Sequence, residues 1–260
     1  MISLDPEAFT LGPLHIRWYG VMAATGLVCA YWLLTRRAKR YGMTGNDVSD
    51  MMFWAMVAAL IGARGLYVIR FWNDEFASQP FISVFRIYEG GLVFFGGFAA
   101  AAVAVMVLSF IRKWKLTDAA DLIAPALALG HACGRIGCLL NGCCFGFEYS
   151  GPLAFKYAHV PHGTFPLQMF SAIGNVLICL CLLWLERKGL FKKRLFLIYM
   201  VLYNVGRFCL EFGRGDYPRE QLLFGLTPAQ VTCLWLLPCV VAVYLVAFYM
   251  QRRCPAKGAK

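Results

Sequence analysis

The chain has 260 residues, of which 60% are hydrophobic and only 15% are charged, and its formal net charge is +11. A soluble domain carries about 25% charged residues, so this composition excludes an ordinary soluble protein. Several apolar runs also reach the roughly 18–20 residues that cross a bilayer. We therefore predict an all-α, polytopic membrane protein.

The basic residues lie in clusters instead of covering one surface. Sixteen of the 25 lysines and arginines lie within the segments 36–40, 112–115, 187–194 and 252–260. Each cluster begins or ends an apolar run, which is typical of cytoplasmic loops. We attribute the basic excess to membrane topology and expect no nucleic-acid partner.

Seven apolar runs predict seven transmembrane helices in a single integral-membrane domain, residues 1–260. The approximate helix limits are 14–35, 50–72, 90–111, 119–141, 166–185, 194–213 and 226–250. The acidic start, residues 1–13, is predicted to lie along the membrane surface, because it lacks the basic beginning of a signal peptide. Basic loops alternate with non-basic ones, so the N-terminus and the loop 146–165 are predicted to face outward. The tail, 251–260, is predicted to be cytoplasmic.

Three arginines lie at one predicted depth, in helices two, four and six. Arg64, Arg135 and Arg207 are each 13 or 14 residues from the cytoplasmic end of their helix, roughly 20 Å at the helical rise. A buried arginine is costly unless it pairs with an anion or faces water. Glu211 and Arg214 share a helix face with Arg207, yet the three helices carry few other acids. Guanidinium groups bind phosphate bidentately, so we predict a site for a phospholipid headgroup.

Other polar residues and glycines fall in the same predicted layer. Tyr19 lies on the first helix, Gly96 and Gly97 on the third, and Gln168 and Gln230 begin the fifth and seventh helices. Glycines allow backbones or a ligand to approach closely. These residues are therefore predicted to contribute to the same headgroup pocket.

The order of these motifs resembles the prolipoprotein diacylglyceryl transferase family. The matching segments, in chain order, are HIRWYG at 15–20, GAR at 62–64, GGLVFFGG at 90–97, GRIG at 134–137 with Asn141 and Gly142, PLQMF at 166–170, GR at 206–207 with Glu211 and Arg214, and Gln230. Each motif is weak alone. Seven motifs in order on a matching topology form a specific signal that covers nearly the whole chain.

The resemblance implies a seven-helix transferase of the bacterial inner membrane. Such an enzyme passes the diacylglyceryl group of phosphatidylglycerol to the lipobox cysteine in a prolipoprotein signal peptide, forming a thioether and releasing glycerol phosphate. Arg135 and Arg207 are expected to bind the phosphate and stabilise the leaving group, while Tyr19 and Asn141 orient the headgroup. The other lipid-binding residues that the resemblance implies are Arg64, Gly96, Gly97, Gln168, Glu211, Arg214 and Gln230.

The third helix departs from the family at Phe95, where many members carry histidine or tyrosine. Phenylalanine cannot accept the proton of the attacking thiol, and the thiolate is the nucleophile. Three interpretations follow: the arginine-rich field activates the thiol, His131 serves as the base, or the chain is a divergent paralogue acting on another acceptor. A non-enzymatic lipid or anion transporter is a further alternative, although the sequence lacks the inverted repeats typical of transporters.

The second departure is a group of cysteines where the family usually has asparagine and glutamate. Cys133, Cys138 and Cys143 are five residues apart, about 140° per step around a helix, and do not share a face. The adjacent Cys143 and Cys144 cannot easily both point at one ion, and CxxC spacing is missing. We therefore expect no metal and no cofactor, even with His131 as a fourth ligand. Small-residue packing or a disulfide involving Cys138 is favoured, and a low-pKa thiol that takes part in transfer is the other alternative.

Overall fold

The computed structural model describes residues 2–3, 6–11, 14–77, 79–87, 90–158, 160–216 and 225–253. Within these ranges the protein is mostly helical, as predicted. It forms two compact units, one comprising residues 1–33 and 120–260 and the other comprising residues 34–119.

Seven long helices account for most of the described residues. They are α1 (Trp18–Ala38), α2 (Gly45–Arg70), α3 (Phe94–Ile111), α4 (Leu116–Asn141), α5 (Leu167–Arg187), α6 (Leu195–Glu211) and α7 (Pro228–Arg253). Five of them, α1 to α5, are long and apolar enough to cross a membrane. The polytopic membrane class is therefore confirmed, and the helices follow the predicted order. Seven crossings and the direction of the termini stay predictions.

The chain begins with short strands before α1. Among the described residues the strands are β1 (Ile2–Ser3), β2 (Glu7–Leu11), β3 (Leu14–Arg17) and β4 (Phe155–Lys156). Strands β2 and β3 pair antiparallel, and β1 pairs parallel with β4 in the loop after α4. The prediction that the first helix starts at residue 14 was wrong. The backbone groups of β3 pair with a preceding strand instead, and α1 starts at Trp18.

In the unit of residues 34–119, α2 has a well-defined start. Gly42 adopts a left-handed conformation with φ of 70°, and Thr44 then caps the helix. The Thr44 Oγ1 accepts a hydrogen bond from the Asp47 N–H at 3.2 Å, and the Thr44 N–H donates to the Asp47 carboxylate at 2.8 Å. This reciprocal capping box fixes where the chain enters the helix. Asp50, a turn later, forms an ion pair with Arg112 after the end of α3.

Glycines allow α2 and α3 to pack backbone to backbone in that unit. A Cβ at Gly62 would overlap the Ala100 side chain and the Gly96 carbonyl, and one at Gly96 would overlap the Gly62 carbonyl. At Gly97 an added Cβ would lie 3.0 Å from the Ala59 carbonyl oxygen. Small residues at helix contacts are the usual solution in membranes, where packing drives association.

In the other unit, α4, α5 and α6 each carry a fully buried leucine, namely Leu122, Leu182 and Leu195. Asp121 is buried beside them and accepts a hydrogen bond from the Phe196 N–H at 3.1 Å. The first N–H groups of a helix lack intrahelical partners, so this carboxylate from α4 stabilises the start of α6.

Candidate active site

Three backbone hydrogen bonds connect the end of α4, the start of α5 and the end of α6. The Gly146 N–H donates to the Phe165 carbonyl at 3.0 Å, ahead of α5. The Phe147 N–H donates to the Gly213 carbonyl at 3.0 Å, and the Gly215 N–H donates to the Phe145 carbonyl at 3.2 Å. These bonds hold the segment after α4 between the start of α5 and the end of α6, and they position the polar side chains that follow.

Glu211 is the central acid of this region. Its side chain is fully buried, and its Oε2 lies 2.7 Å from the Arg207 Nη1. Its Oε1 lies 3.5 Å from the Arg214 Nη1 and accepts a hydrogen bond from the Thr227 hydroxyl at 3.0 Å. A buried carboxylate requires such partners. Glu211 therefore pairs with Arg207 and also contacts Arg214, as their shared helix face allows.

Arg214 has a second acidic partner that the sequence analysis missed. Its Nε and Nη2 donate to the two oxygens of Asp216, each at 2.7 Å. Burial disfavours the charged form of Arg214, but the hydrogen bonds to Asp216, together with the charges of Cys144, Asp216 and Glu211, outweigh that effect and raise the pKa of the guanidinium. A bidentate pair of this kind neutralises Arg214 and leaves less of it for a ligand. The acid two residues after an arginine was the signal for this pair.

Arg135, in contrast, makes no hydrogen bond or ion pair with any residue in the described ranges. It lines a small cavity together with Arg207 and Arg214 on the α6 side, and with Gln168 and Cys144. Among the described residues, Arg207 and Arg214 pair with two carboxylates, those of Glu211 and Asp216, and Arg135 pairs with none. One positive charge is therefore left over, and a cavity with this surplus attracts an anion.

Gln168 lines the same cavity. It is 1% exposed, and its Nε2 donates to the Cys143 carbonyl at 2.8 Å. Its Oε1 is buried and has no hydrogen-bond partner among the described residues. Buried polar atoms are nearly always paired, so this oxygen is suited to accept a hydroxyl donor from a ligand.

His131 lies in an aromatic stack on α4 and α6. Its Nδ1 lies 2.8 Å from the Tyr199 hydroxyl, and its ring stacks on Tyr203 with centroids 4.9 Å apart. Tyr199 and Tyr203 precede Arg207 at helical spacing on α6, a pattern that the sequence analysis did not use. Only the Nε2 of His131 is left to exchange a proton with a substrate, so its role as a base stays a prediction.

Tyr19 and Asn141 flank the signature segment. The glycine at 137 lets α1 approach α4, since a Cβ there would lie 3.3 Å from the Tyr19 ring and 3.2 Å from the Met22 side chain. Asn141 is the last residue of α4. Both residues are thus near the end of α4, and their contact with a headgroup stays a prediction.

The cysteines behave differently from the sequence prediction. The sulfurs of Cys138, Cys143 and Cys144 lie within 4.8 Å of one another. The argument that they cannot converge was wrong, because α4 ends at Asn141 and the chain then reverses through left-handed residues. Hydrogen bonds from the thiols of Cys138 and Cys143 lower the pKa of the Cys144 thiol, and the charges of Arg214 and Arg135 lower it further. The fourth cysteine, Cys133, is outside the group, as predicted.

Gln230 caps α7 in the structure. Its Oε1 accepts a hydrogen bond from the Thr227 N–H at 2.9 Å, while its own N–H donates to the Thr227 hydroxyl at 3.3 Å. This is a capping box, and it holds Thr227 in position to reach Glu211. Gln230 is therefore a positioning residue in this structure, and direct contact with lipid stays a prediction.

Arg64 belongs to the unit of residues 34–119 and has backbone partners there. Its Nε donates to the Val84 carbonyl at 2.7 Å, and its Nη2 donates to the Ser83 carbonyl at 2.8 Å. Its Nη1 donates to the carbonyls of Gly90 at 2.9 Å and Gly91 at 3.2 Å. Arg64 thus anchors the connection from α2 to α3. Lipid binding by Arg64, as by the helix-packing glycines 96 and 97, stays a prediction.

Known proteins resemble the chain over most of its length. The sequence model of the family described as prolipoprotein diacylglyceryl transferase matches residues 6–248. The chain is 33% identical to phosphatidylglycerol–prolipoprotein diacylglyceryl transferase 2 of Clostridium perfringens, with 80% of this chain and 82% of the relative covered. It is 32% identical to the phosphatidylglycerol–prolipoprotein diacylglyceryl transferase of Geobacillus kaustophilus, with 94% and 92% covered. It is also 32% identical to that of Aeromonas salmonicida, with 96% and 92% covered.

Proposed function

This chain belongs to the prolipoprotein diacylglyceryl transferase family, and from that premise we propose that it transfers the diacylglyceryl group of phosphatidylglycerol to the lipobox cysteine of prolipoproteins. The products are a thioether on the signal-peptide cysteine and glycerol phosphate. The observation that carries the proposal is Arg135, a cation with no described protein partner, which opens on the same cavity as Arg207.

The charge of the cavity suits a phosphodiester. Its surplus of one positive charge matches the single negative charge of the phosphatidylglycerol headgroup. No described residue hydrogen-bonds to the guanidinium nitrogens of Arg135, which leaves them for phosphate oxygens, while Arg207 holds Glu211 through Nη1. Charge-assisted hydrogen bonds of this kind are the strong ones. Glu211 fixes the direction of Arg207, and Arg214 is in turn fixed by two acids.

The reaction places new charge on the phosphate. The thiolate sulfur forms a bond to the terminal glycerol carbon of the diacylglyceryl group, and the bond from that carbon to the phosphate oxygen breaks. Its electron pair stays on the oxygen, where the two arginines stabilise the developing charge. The Gln168 Oε1 accepts a hydrogen bond from a hydroxyl of the departing glycerol, while Tyr19 on α1 and Asn141 at the end of α4 orient the headgroup.

The thiol proton has two candidate routes. His131 can receive it at Nε2, with Tyr199 holding the ring, or the arginine-rich field lowers the thiol's own proton affinity. A His131→Asn variant separates the two, because asparagine keeps a polar partner for Tyr199 but cannot take the proton. A steep loss of transfer with unchanged lipid binding supports the histidine route.

The membrane arrangement is part of the proposal. Seven crossings of the bacterial inner membrane, with the N-terminus outward and the tail cytoplasmic, follow from the basic clusters. In this arrangement the end of α4, the start of α5 and the end of α6, and with them the cavity, lie toward the outward side. Reporter fusions after 40, 114, 190 and 253 test this, since each is expected to report a cytoplasmic location.

The direct cellular test is complementation of a bacterial strain depleted of its own transferase. The wild-type chain is expected to restore growth and to raise the mass of a reporter lipoprotein by one diacylglyceryl group. Arg135→Ala is expected to fail, while Arg187→Ala, in the basic cluster at the end of α5, is expected to succeed. Failure of a well-expressed wild-type chain would favour the divergent paralogue. Lipid movement across vesicles without any product would favour a transporter.

A further inference from the structure

Three thiols gather at the end of α4, beside the proposed lipid site. The sulfurs of Cys138, Cys143 and Cys144 lie within 4.8 Å of one another. A tetrahedral zinc–thiolate site has Zn–S bonds of about 2.3 Å, which puts its sulfurs about 3.8 Å apart. Side-chain rotations that move each sulfur by less than about 1 Å would therefore close the group around one ion.

The backbone gathers these cysteines through a fixed reversal. Gly142 and Cys144 have φ of 72° and 60°, and a left-handed conformation at a non-glycine residue costs about 1 kcal/mol or more. The Cys143 N–H donates to the Cys138 carbonyl at 3.1 Å, and Gln168 from α5 donates to the Cys143 carbonyl. Strain of this kind persists only where the surroundings determine it, and it is typical of functional sites.

The surroundings also favour ionised thiols. Cys144 lines the cavity together with Arg135 and Arg214, so cations lie beside the sulfurs. Thiolates select zinc or copper(I) over magnesium, calcium and manganese.

We propose that Cys138, Cys143 and Cys144 bind one zinc ion and leave its fourth position for the acceptor thiol of the substrate. Three protein ligands with one open position are typical of catalytic zinc sites. A thiol that coordinates zinc is deprotonated, which supplies the thiolate that the reaction requires. The third helix offers no base at Phe95, and the zinc site makes one unnecessary.

The role of the open position rests on the proposed function, and its chemistry balances. On coordination, the lipobox S–H releases its proton to solvent. The sulfur electron pair then forms the bond to the glycerol carbon, and the carbon–oxygen pair stays on the phosphate, which takes a proton back from solvent. The thioether product is a weak zinc ligand and leaves, so the three cysteines and the ion are unchanged.

The first test measures metal in the full chain, purified in detergent under anaerobic reducing conditions after growth with zinc. We expect one zinc ion per chain in the wild type and in Cys133→Ser, the matched control from the same helix. Near-total loss of zinc is expected in Cys138→Ser, Cys143→Ser and Cys144→Ser. A wild type without metal, or with copper in place of zinc, overturns the proposal. So does zinc that survives all three substitutions. An intact mass lower by two hydrogens without metal would show a disulfide instead, with the same consequence.

The second test needs no variant. Cobalt(II) replaces zinc, and its visible absorption reports the number of thiolate ligands. A lipobox peptide with cysteine is expected to intensify the thiolate bands, and the same peptide with serine is expected to leave them unchanged. An identical response to both peptides overturns the acceptor role. Transfer activity, measured separately, keeps the proposals distinguishable. Full transfer by metal-free protein refutes the acceptor role of zinc and leaves the proposed function intact, whereas a zinc-loaded protein without transfer refutes the proposed function.

Discussion

Arg135 and Arg207 are expected to respond differently to the same substitution, because only one of them has a described protein partner. In Arg135→Ala no buried carboxylate loses a partner, so the protein is expected to keep its stability. In Arg207→Ala the fully buried Glu211 loses its closest cation, at 2.7 Å. Removing one member of a buried ion pair costs about 3–5 kcal/mol. Arg207→Ala is therefore expected to melt several degrees lower than the wild type, and Arg135→Ala is not.

Both substitutions are expected to impair transfer. A hydrogen bond to a charged group contributes about 1.5–3 kcal/mol, so losing two of them from the transition state costs roughly 3–6 kcal/mol. At 1.36 kcal/mol per tenfold change in rate, Arg135→Ala is expected to slow transfer by about 10²–10⁴-fold. Arg135→Lys keeps the charge but loses the planar guanidinium group, so its transfer rate is expected to lie between those of the wild type and Arg135→Ala.

The assay combines thermal melting of detergent-purified protein with transfer from phosphatidylglycerol micelles to a lipobox peptide. Melting and transfer are measured on the same preparations, which separates a chemical defect from a folding defect. Equal losses of melting temperature in Arg135→Ala and Arg207→Ala would refute the assignment of Arg135 as the unpaired cation. Near-normal transfer by Arg135→Ala would refute its role in phosphate binding.

Three further predictions concern helix packing, helix capping and the α2–α3 connection. They are checked by melting temperature and, for Arg64, also by proteolysis. Gly62→Ala is expected to cost about 1–3 kcal/mol by overpacking, because the added methyl would overlap α3. Gly65→Ala meets open space and is expected to be neutral or slightly stabilising. Equal effects of the two variants would contradict the helix contact. Gln230→Ala is expected to cost about 0.5–2 kcal/mol through the lost cap, and Gln230→Glu is expected to retain stability. A Gln230→Ala protein that keeps its stability but binds lipid more weakly would favour direct contact with lipid. Arg64→Ala is expected to destabilise the protein and expose the α2–α3 connection to protease, since four carbonyls lose their donor; unchanged proteolysis would contradict the anchoring role.

Hydrophobic runs and basic clusters predicted the helices well, since length and apolarity govern membrane segments. The predicted start of the first helix was wrong because residues 14–17 pair antiparallel with residues 7–11. Apolar content alone does not distinguish a short strand from the first turn of a helix.

The candidate site was predictable where charge determined it. Arg207, Glu211 and Arg214 share a helix face, and their helical spacing indicated the network that the structure contains. That Arg135 pairs with no acid in the described ranges was not predictable, because pairing depends on which acids reach it across the fold. The capping role of Gln230 follows a sequence signature, a threonine three residues before a glutamine.

The cysteines show how a local rule fails at the end of a helix. Helical spacing correctly separated Cys133 from Cys138, since these two cysteines lie within α4. It failed for Cys143 and Cys144, because two residues with positive φ reverse the chain after Asn141. Glycine at position 142 was the available signal for that reversal.

The most direct test of the account measures both products of one reaction. Purified protein is combined with phosphatidylglycerol vesicles and a lipobox peptide, and the diacylglyceryl peptide and free glycerol phosphate are both quantified by mass spectrometry. The account predicts that they appear in equal amounts and that Arg135→Ala reduces both together. Glycerol phosphate without modified peptide, or no reaction by folded protein, would contradict it.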